Sequence, residues 1–397
     1  MNSVILNVAL SIVAAPAVLS CAYLLVLTLL SARLPVLPAS RRQLRFDVLV
    51  PAHNEAAVIE RVIHSLKRIN WPADRYRVIV VADNCTDATA AVAAAAGAQV
   101  IERQDPQRRG KGYALEFAFK ASRARGWADA VVVIDADAEV SANLLEAFAR
   151  RMERGEDAVQ VHYGVSNTAA SWRTRLLSIA KAAFHIVRSR ARERLGLSCG
   201  IRGNGWAVTH RLLERAPYRS FSLTEDLEYG IELGFAGYRV AYADEAHADA
   251  EMVSAEKDAR QQRQRWERGR FRLIRTKTAP LLKAAVRRRS LVCLDLALDL
   301  MVLPLSYVVL NIVALLILAS LATLWESAYR GWVWLGLVCA ALLALHILRG
   351  WQLSGAGWRG LLDLVRAPFF LLWKLAVMLR RRESTEWVRT KREGSES

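Results

Sequence analysis

The chain has 397 residues, 53% of them hydrophobic, and carries 55 Lys and Arg against 38 Asp and Glu, a formal net charge of +17. Such apolar composition excludes a purely soluble protein, whereas the positive charge raises nucleic acid as a possible partner. The basic residues, however, lie beside apolar segments, over residues 33–45, 260–289 and 380–392. Attraction to anionic lipid explains that placement more simply, so we expect a membrane partner and no nucleic acid.

The first apolar segment, Val4–Leu30, has no charged residue and is long enough to span a hydrocarbon core of ~30 Å. Four arginines follow it within residues 33–45, which predicts an N-terminus outside and a cytoplasmic middle domain. A cleaved signal peptide is the competing interpretation. No Lys or Arg precedes the apolar run, however, and the run exceeds a signal core of about 7 to 15 residues. We therefore predict an uncleaved transmembrane anchor over residues 1–32.

The C-terminal part, residues 276–397, contains three more apolar stretches. Met301–Leu324 and Trp332–Leu348 are each long enough to predict a membrane span, and together they predict a transmembrane hairpin. The third stretch, Leu361–Leu379, contains charged residues and a proline, so an interfacial helix is the better prediction. Three crossings keep the basic tail in the cytoplasm, and a fourth crossing, which would export it, stays open.

Between these ends, residues 44–275 alternate short apolar runs with helical periods. The runs FDVLV from Phe46, YRVIVVA from Tyr76 and AVVVID from Ala130 are typical of buried strands. Repeated strand-helix-strand units of this kind predict an α/β fold with a mostly parallel sheet covered by helices.

Acidic clusters follow three of the predicted strands, at residues 51–55, 83–87 and 135–137. Ligands of such sheets bind at the carboxyl ends of the strands, so the clusters predict one acidic crevice. A D-x-D turn suits a divalent cation that bridges a diphosphate, because Mg²⁺ and Mn²⁺ prefer carboxylate and phosphate oxygens. An Asp after a strand is also often only a helix cap, which is the simpler interpretation of Asp87 alone.

Other residues suit the remaining parts of such a ligand. Glu55 and Asp83 could accept hydrogen bonds from a nucleoside, and Lys111 lies in a glycine-rich loop that could contact phosphates. Further on, Thr224-Glu225-Asp226 is typical of a helix N-terminus, with Thr224 as the cap and a helix dipole that lowers the pKa of Asp226.

The segment Gln261–Trp266 places a guanidinium beside an indole, a pair that suits a diphosphate and a sugar ring. Taken alone, Arg265 is equally typical of a lipid-facing cation and Trp266 of an interfacial anchor. Asp295 and Asp299, four residues apart, could line the entry of an acceptor, although solvated helix residues are the simpler interpretation.

Together these pieces resemble glycosyltransferase family 2, in its membrane-bound branch that includes cellulose, chitin and hyaluronan synthases. They occur in the family's order and span Val48–Trp266: PAHNE, ADNCTD, RGKGYAL, DADA, GNGWAV, TED and QRQRW in the Q-x-x-R-W position. TED followed by Q-x-x-R-W is the most specific part of the pattern.

The resemblance implies a GT-A fold and transfer of a sugar from a nucleotide sugar with inversion of configuration. We expect a UDP-sugar as the donor and Mg²⁺ or Mn²⁺ as the cofactor. The resemblance also implies that Asp226 is the general base and that Asp135 and Asp137 contact the metal. Donor-nucleotide contacts would come from Glu55, Asp83, Lys111, Asp135 and Arg265. Acceptor contacts would come from Trp266, Glu225, Gly203 and Asn204.

The acceptor stays open between two classes. A β-linked surface polysaccharide or oligosaccharide is the first expectation, although three crossings are few to enclose a polysaccharide channel within one chain. The organisation also resembles small membrane-bound enzymes that add one sugar to a lipid, such as ceramide glucosyltransferase. A non-catalytic subunit of an export assembly is a third possibility, and a homo-oligomer or export partner is possible. We expect a multi-pass protein of the inner cell membrane with a cytoplasmic catalytic domain.

Overall fold

The computed structural model describes residues 2–252 and 256–366, with side chains described over 3–252 and 266–366. Most of the predicted interfacial stretch Leu361–Leu379 and the whole basic tail lie outside these residues. The described chain forms two compact units that alternate along the sequence, whereas the sequence predicted three consecutive domains. One unit comprises residues 2–32, 168–191 and 298–366, and the other comprises residues 33–167 and 192–297 with a gap at 253–255.

The second unit is built on an eight-stranded sheet. Its strands are β1 (Phe46–Ala52), β2 (Tyr76–Asp83), β3 (Gln99–Arg103), β4 (Ala130–Val133), β5 (Ala138–Val140), β6 (Ala158–Val165), β7 (Trp206–Thr209) and β8 (Ala241–Ala250). They lie in the order β3-β2-β1-β4-β7-β6-β8-β5. The pairs among β1 to β4 are parallel, as is β6 with β8, whereas β7 is antiparallel to both neighbours and β5 is antiparallel to β8. The predicted α/β fold is confirmed, with a sheet that becomes mixed beyond β4.

Helices cover both faces of this sheet. The helices of this unit are α2 (Ile59–Lys67), α3 (Thr89–Ala95), α4 (Lys111–Arg125), α5 (Leu144–Met152), α8 (His210–Arg215), α9 (Glu225–Phe235) and α10 (Glu256–Arg288). The first apolar core packs α2 and α5 on one face, and the second packs α4, α8 and α9 on the other. Because both faces are covered, β1 and β4 are buried over nearly their whole length, as their uninterrupted apolar runs predicted.

The first unit is helical. It contains α1 (Asn2–Leu29), α6 (Trp172–Ala182), α12 (Leu305–Trp325), α13 (Arg330–Leu353) and α14 (Gly357–Asp363), with a π-helical turn at Ala183–Val187 after α6. Within its described residues, three helices are long and apolar enough to cross a membrane: Ser3–Leu29, Leu305–Trp325 and Ser327–Leu353. These coincide with the predicted anchor and hairpin, and they indicate that the protein associates with a membrane.

Two helices each contain a point along the chain where one unit ends and the other begins: α7 (Arg188–Arg194) and α11 (Leu291–Met301). The interpretation of Asp295 and Asp299 as solvated residues is wrong, because their exposures are only 5% and 7%. In the helical unit, the Arg188 Nη1 lies 3.0 Å from the Asp299 Oδ1, and in the sheet unit the Arg192 Nε lies 2.9 Å from the Asp295 Oδ2. Each carboxylate is therefore buried against a guanidinium rather than open to an acceptor.

Candidate active site

The turn after β4 carries the two carboxylates that the sequence assigned to the donor and the metal. The Asp135 N–H donates to the Asn204 Oδ1 at 3.0 Å, and the Ala138 N–H donates to the Asp135 carbonyl oxygen at 3.1 Å. These bonds fix the backbone between Asp135 and Asp137 at the carboxyl end of a buried parallel strand. The carboxylates therefore lie where ligands of such sheets bind.

Lys111, the first residue of α4, contacts three parts of the site. Its Nζ pairs with the Asp135 carboxylate, donates to the Gly203 carbonyl oxygen at 2.8 Å and lies 4.0 Å from the Glu225 Oε1. Burial disfavours the charged form of Lys111, but the neighbouring carboxylates outweigh it and hold its pKa above the usual range. A phosphate that reached Lys111 would therefore share its ammonium group with protein carboxylates.

Glu225 and Asp226 form the first residues of α9, inside the same cluster. Burial raises the pKa of Glu225 to about 7, reinforced by the charge of Asp226 and opposed by Lys111. Burial also raises the pKa of Asp226, while the Leu227 N–H and Lys111 act against it. The expectation that the helix dipole would lower the pKa of Asp226 is wrong, because desolvation outweighs the local dipole.

The predicted capping role of Thr224 is also wrong. Its side chain makes no capping hydrogen bond, and its hydroxyl is buried without a partner among the described residues. Thr224 packs against Gly269 of α10 instead, so closely that a methyl group at Gly269 would overlap the Thr224 side chain. At the start of α9, the Thr224 side chain therefore packs against α10 instead of capping the helix.

Gly203 and Asn204 lie against the acidic residues. Gly203 has a φ of +91°, and a Cβ built on it would lie 3.4 Å from the Asp226 Oδ2. Asn204 is fully buried, and its side-chain oxygen accepts from the backbone of Asp135. The sequence assigned both residues to the acceptor, and the contact that the structure gives Asn204 is with the carboxylate turn.

The predicted nucleoside contact Asp83 is buried against an arginine. Arg103 Nη1 donates to Asp83 Oδ1 at 2.6 Å, and the two side chains are each 8% exposed. Arg103 also pairs with Asp105 at 3.1 Å. Asp83 is therefore a charge-compensated residue, since a buried carboxylate costs much less when it is paired.

Glu55 and Asp87 lie in the neighbouring loops. The Glu55 N–H donates to the Thr89 Oγ1 at 2.8 Å, and the Thr89 hydroxyl in turn donates to the Asp87 Oδ1 at 2.5 Å. Asp87 also accepts from the Thr89 N–H at 3.0 Å and from the Ala56 N–H at 3.3 Å. Asp87 therefore joins the loop after β1 to the first turn of α3, in agreement with a local structural role.

The Q-x-x-R-W motif lies on α10. Trp266 is half-buried there, one helical turn before Gly269, which contacts Thr224. The side chain of Arg265 lies outside the described residues, so its assignment to the diphosphate stays a prediction.

The donor atoms at the turn suit a hard divalent cation. Among the residues that the structure describes, no three His, Cys, Asp or Glu side chains form a set that could hold a metal ion. Asp135 and Asp137 provide carboxylate oxygens, and Mg²⁺ or Mn²⁺ commonly takes the rest of its ligands from water and substrate phosphates. The residues present therefore fit an ion that binds together with a nucleoside diphosphate.

Two further buried polar residues of this region, Arg103 and Gln160, are not predicted by any motif of the sequence. Arg103 compensates Asp83, and the Gln160 side chain bonds the backbone around Asn204. Neither residue belongs to a recognisable motif. The one available signal is that Gln160 interrupts the apolar run AVQV of β6, where a polar side chain needs a partner.

The sheet order, the carboxylate turn after β4 and the acidic start of α9 define a GT-A-like nucleotide-sugar transferase domain. The chain belongs to the family described as "Glycosyltransferase like family 2", whose model matches residues 44–269, more than half of the chain. A mannosyltransferase from Pyrobaculum calidifontis, solved with GDP-Man and Mn²⁺, has the same fold, with a TM-score of 0.51 and 20% identity. That match covers 87% of this chain and 97% of the other.

Two curated relatives each match just over half of this chain. The β-monoglucosyldiacylglycerol synthase of Synechocystis is 29% identical over 56% of this chain and 47% of its own length. The probable glycosyltransferase YdaM of Bacillus subtilis is 27% identical over 57% of this chain and 55% of its own length. The chain thus spans about half the length of these relatives.

Proposed function

We propose that this protein transfers a sugar from a nucleoside diphosphate sugar to a hydroxyl group of a membrane lipid. UDP is the first nucleotide to test, and GDP is the second. This proposal prefers the lipid to the polysaccharide that the motifs first suggested. Its catalytic base is Asp226, and its donor contacts include Lys111 and Asp135.

The observation that carries the lipid acceptor is the chain path between β6 and β7. Both strands belong to the sheet unit, yet residues 168–191 between them belong to the compact unit of apolar helices. Within that unit the segment packs tightly, since a Cβ on Gly350 of α13 would lie 2.8 Å from the Ala183 Cβ. Residues 192–202 connect this insertion to Gly203 and Asn204, so the chain that forms the site also passes through the part of the protein suited to a membrane.

The relatives support the same acceptor class. The Synechocystis relative is named for a glucosyl diacylglycerol product, and it is 29% identical over 56% of this chain. A diacylglycerol-type lipid with a free hydroxyl is therefore the first acceptor to test.

The proposed chemistry is an in-line displacement at the anomeric carbon. Asp226 removes the proton from the acceptor hydroxyl, the acceptor oxygen bonds to the anomeric carbon, and the bond from that carbon to the diphosphate oxygen breaks. The raised pKa of Asp226 makes its carboxylate a stronger base than that of an ordinary aspartate. Displacement by one step inverts the configuration at the anomeric carbon.

The donor side must bind and neutralise the diphosphate. Asp135 and Asp137 would hold Mg²⁺ or Mn²⁺, and the chemistry supplied by that ion is neutralisation of the charge on the departing nucleoside diphosphate. Lys111 adds a cation beside Asp135, and Arg265 is proposed to contact the same phosphates from α10. Glu55 and Asp83 are proposed to orient the nucleoside, and Trp266 and Glu225 to contact the acceptor.

This assignment places the sheet unit on the cytoplasmic side, where nucleotide sugars are made, at the inner cell membrane. The arginines that follow the first apolar helix favour that orientation. Fusion of a reporter enzyme after α1 and after α12 tests it, and an exported sheet unit would contradict it.

Polysaccharide synthesis is the second candidate, favoured by the TED and Q-x-x-R-W motifs. The deciding experiment incubates the purified protein in lipid nanodiscs containing diacylglycerol with Mn²⁺ and radiolabelled UDP- and GDP-sugars. The products are then separated by organic extraction and by size. We expect label in one discrete species of the organic phase.

The matched control is Asp226→Asn, which keeps the size of the side chain and removes the base. Label in a long polymer would replace the lipid acceptor with a saccharide. If no donor labelled any product above the Asp226→Asn background, the protein would be a non-catalytic subunit.

A further inference from the structure

The loop of residues 202–205, between the β6–β7 insertion and β7, touches three members of the candidate site. Its Asn204 side chain accepts from the Asp135 N–H, and its Gly203 carbonyl accepts from Lys111. Its Gly203 Cα faces Asp226, since a Cβ there would lie 3.4 Å from the Asp226 Oδ2. The position of this one loop therefore affects the donor side and the base together.

The backbone N–H and C=O groups of this loop do not find hydrogen-bond partners within the loop itself. Gly203 and Gly205 have φ values of +91° and +71°. Gly205 still bonds to both neighbouring strands, since its N–H donates to the Val133 carbonyl at 3.1 Å and its carbonyl accepts from the Val161 N–H, but the ladder ends there. Arg202, Asn204 and Gly205 are buried, and buried N–H and C=O groups without partners are costly.

The side chain of Gln160 bonds to three of these backbone groups. Its Oε1 accepts from the Arg202 N–H at 2.8 Å, and its Nε2 donates to the carbonyl oxygens of Asn204 at 2.6 Å and Gly205 at 3.0 Å. Gln160 itself is 1% exposed and lies near the end of the β6–β7 pairing, opposite Trp206. One amide thus bonds to three of the loop's four residues.

Close packing prevents the loop from adjusting elsewhere. A Cβ on Gly205 would lie 2.6 Å from the Val161 Cγ2 and 2.8 Å from the Ala248 Cβ, so the backbone lies directly on β6 and β8. The Val161 N–H also donates to the Gly205 carbonyl at 2.8 Å. The Gly205 end of the loop is thereby held in place, and the Gln160 amide determines the path of residues 202–204.

We propose that Gln160 is a positioning residue of the transfer reaction, which acts through the 202–205 loop to place Asp135 and Lys111 relative to Asp226. The proposal rests on the proposed function, because it assumes that these three residues are the reacting and donor-binding groups. Gln160 itself touches neither substrate nor metal in this proposal.

The test compares two substitutions with a matched control. Gln160→Leu removes all the bonds to the loop, and Gln160→Glu keeps the acceptor for the Arg202 N–H but replaces the donor with an oxygen. The control, Thr209→Val, lies at the other end of β7. It removes the bond from the Leu212 N–H to the Thr209 Oγ1 and the bond that this hydroxyl donates to the Asp157 Oδ1 at 2.7 Å. All three variants lose a side-chain-to-backbone bond of the sheet unit.

The measurements are thermal unfolding, binding of Mn²⁺ with UDP or GDP by calorimetry, and kcat and KM for transfer. We expect both Gln160 variants to weaken Mn²⁺-dependent nucleotide binding and to lower kcat by about 10- to 100-fold, the range seen when supporting residues of a metal site are lost. The control should unfold at a temperature similar to that of the Gln160 variants, but its Mn²⁺-dependent nucleotide binding and its kcat should stay close to those of the wild type. Hydrogen exchange of residues 202–205 should rise in the Gln160 variants alone.

If the Gln160 variants bound nucleotide and turned over like Thr209→Val, the inference would be overturned while the proposed function stood. If the wild-type protein transferred no sugar, the proposed function would fail, and nucleotide binding together with hydrogen exchange would still decide the role of Gln160. Should Gln160→Leu fail to fold, Gln160→Glu provides the same comparison with one backbone bond retained.

Discussion

Glu225 and Asp226 are neighbours in sequence, yet their surroundings divide the possible roles between them. Both are desolvated, and the pKa of Glu225 rises to about 7 with the charge of Asp226 close by. Asp226 keeps the Leu227 N–H and the Lys111 charge as partners of its ionised form. Asp226 is therefore better suited to remain a carboxylate, as a general base must.

At this scale the first prediction concerns the base. Asp226→Asn should abolish sugar transfer and leave the affinity for Mn²⁺ and UDP within a few-fold of wild type, since it removes the base and retains the shape of the side chain. Single-turnover transfer and nucleotide calorimetry measure the two effects. Substantial residual transfer would move the base to another residue.

The second prediction concerns pH. Transfer requires ionised Asp226, and its pKa is raised, so kcat/KM should fall on acidification at a higher pH than for an ordinary aspartate with a pKa of about 3.9. Because the pKa of Glu225 is about 7, Glu225 is already protonated and neutral at the lower pH where Asp226 titrates, so Glu225→Gln should leave the acid limb nearly unchanged. A clear shift of the acid limb in Glu225→Gln would mean that Glu225 is still ionised where Asp226 titrates.

At the scale of elements, the first turn of α4 and the segment before α9 form one contact. Tyr113 stacks on Phe221 with ring centroids 4.5 Å apart and an interplanar angle of 12°. Beside this stack, a methyl group at Gly112 would overlap the Ser220 carbonyl oxygen. The turn that supplies Lys111 therefore lies directly on the chain that leads to Asp226.

This contact gives the third prediction. Gly112→Ala should displace the Ser220–Phe221 segment and lower kcat by at least about tenfold, because a misplacement of about 1 Å can cost on the order of 100-fold in rate. The matched control is Gly126→Ala at the other end of α4, where a Cβ meets nothing within 4 Å. Gly126 has a φ of +60°, so this control should lose stability, by about 1 kcal/mol, without a comparable loss of kcat. Equal kcat in the two variants would contradict a role of the contact in placing Asp226.

At the scale of the whole molecule, charges are buried in the helical unit as well as in the sheet unit. Arg188 and Asp299 have side-chain exposures of only 3% and 10%, and Arg188 also lies over the ring of Phe184 at 4.9 Å. Such a pair is costly to break from one side, because the remaining charge is left without compensation.

The fourth prediction follows from this pair. Arg188→Leu or Asp299→Leu alone should destabilise the protein by about 3 to 5 kcal/mol, whereas the double replacement should recover most of that loss. Thermal unfolding of the four proteins in one detergent gives the double-mutant cycle. Additive losses in the double variant would show that the pair contributes nothing beyond its separate side chains.

Much of the sheet unit could be predicted from sequence because its signals are local. The apolar runs at Phe46, Tyr76 and Ala130 became β1, β2 and β4, and their acidic ends lie at the carboxyl edge of the sheet. The three apolar helices followed from length and hydropathy alone. The antiparallel pairing of β7 could not be predicted, because residues 166–205 separate β7 from β6 in the sequence and no local pattern shows which strands β7 pairs with.

Local sequence rules give the wrong structure where burial or packing overrides them. Thr224 has the right residue type for a cap, but the close approach of α10 at Gly269 occupies its surroundings. The i, i+4 spacing of Asp295 and Asp299 indicated a solvated face. Each carboxylate is instead buried beside an arginine of α7, a helix that is far from them in the sequence but packs beside them. The roles of the predicted site residues stay proposals for biochemical test.

The sequence by itself determined the α/β class, the apolar spans and the family, because these depend on periodicity, composition and short motifs that neighbouring residues carry together. Only the tertiary structure decided that Lys111 pairs with Asp135, that Asp226 is desolvated, and that residues 168–191 fold with the apolar helices. It also gave Gln160 its contacts with the 202–205 loop. These depend on residues far apart in the chain, whose distances and burial are set by packing and leave no local pattern.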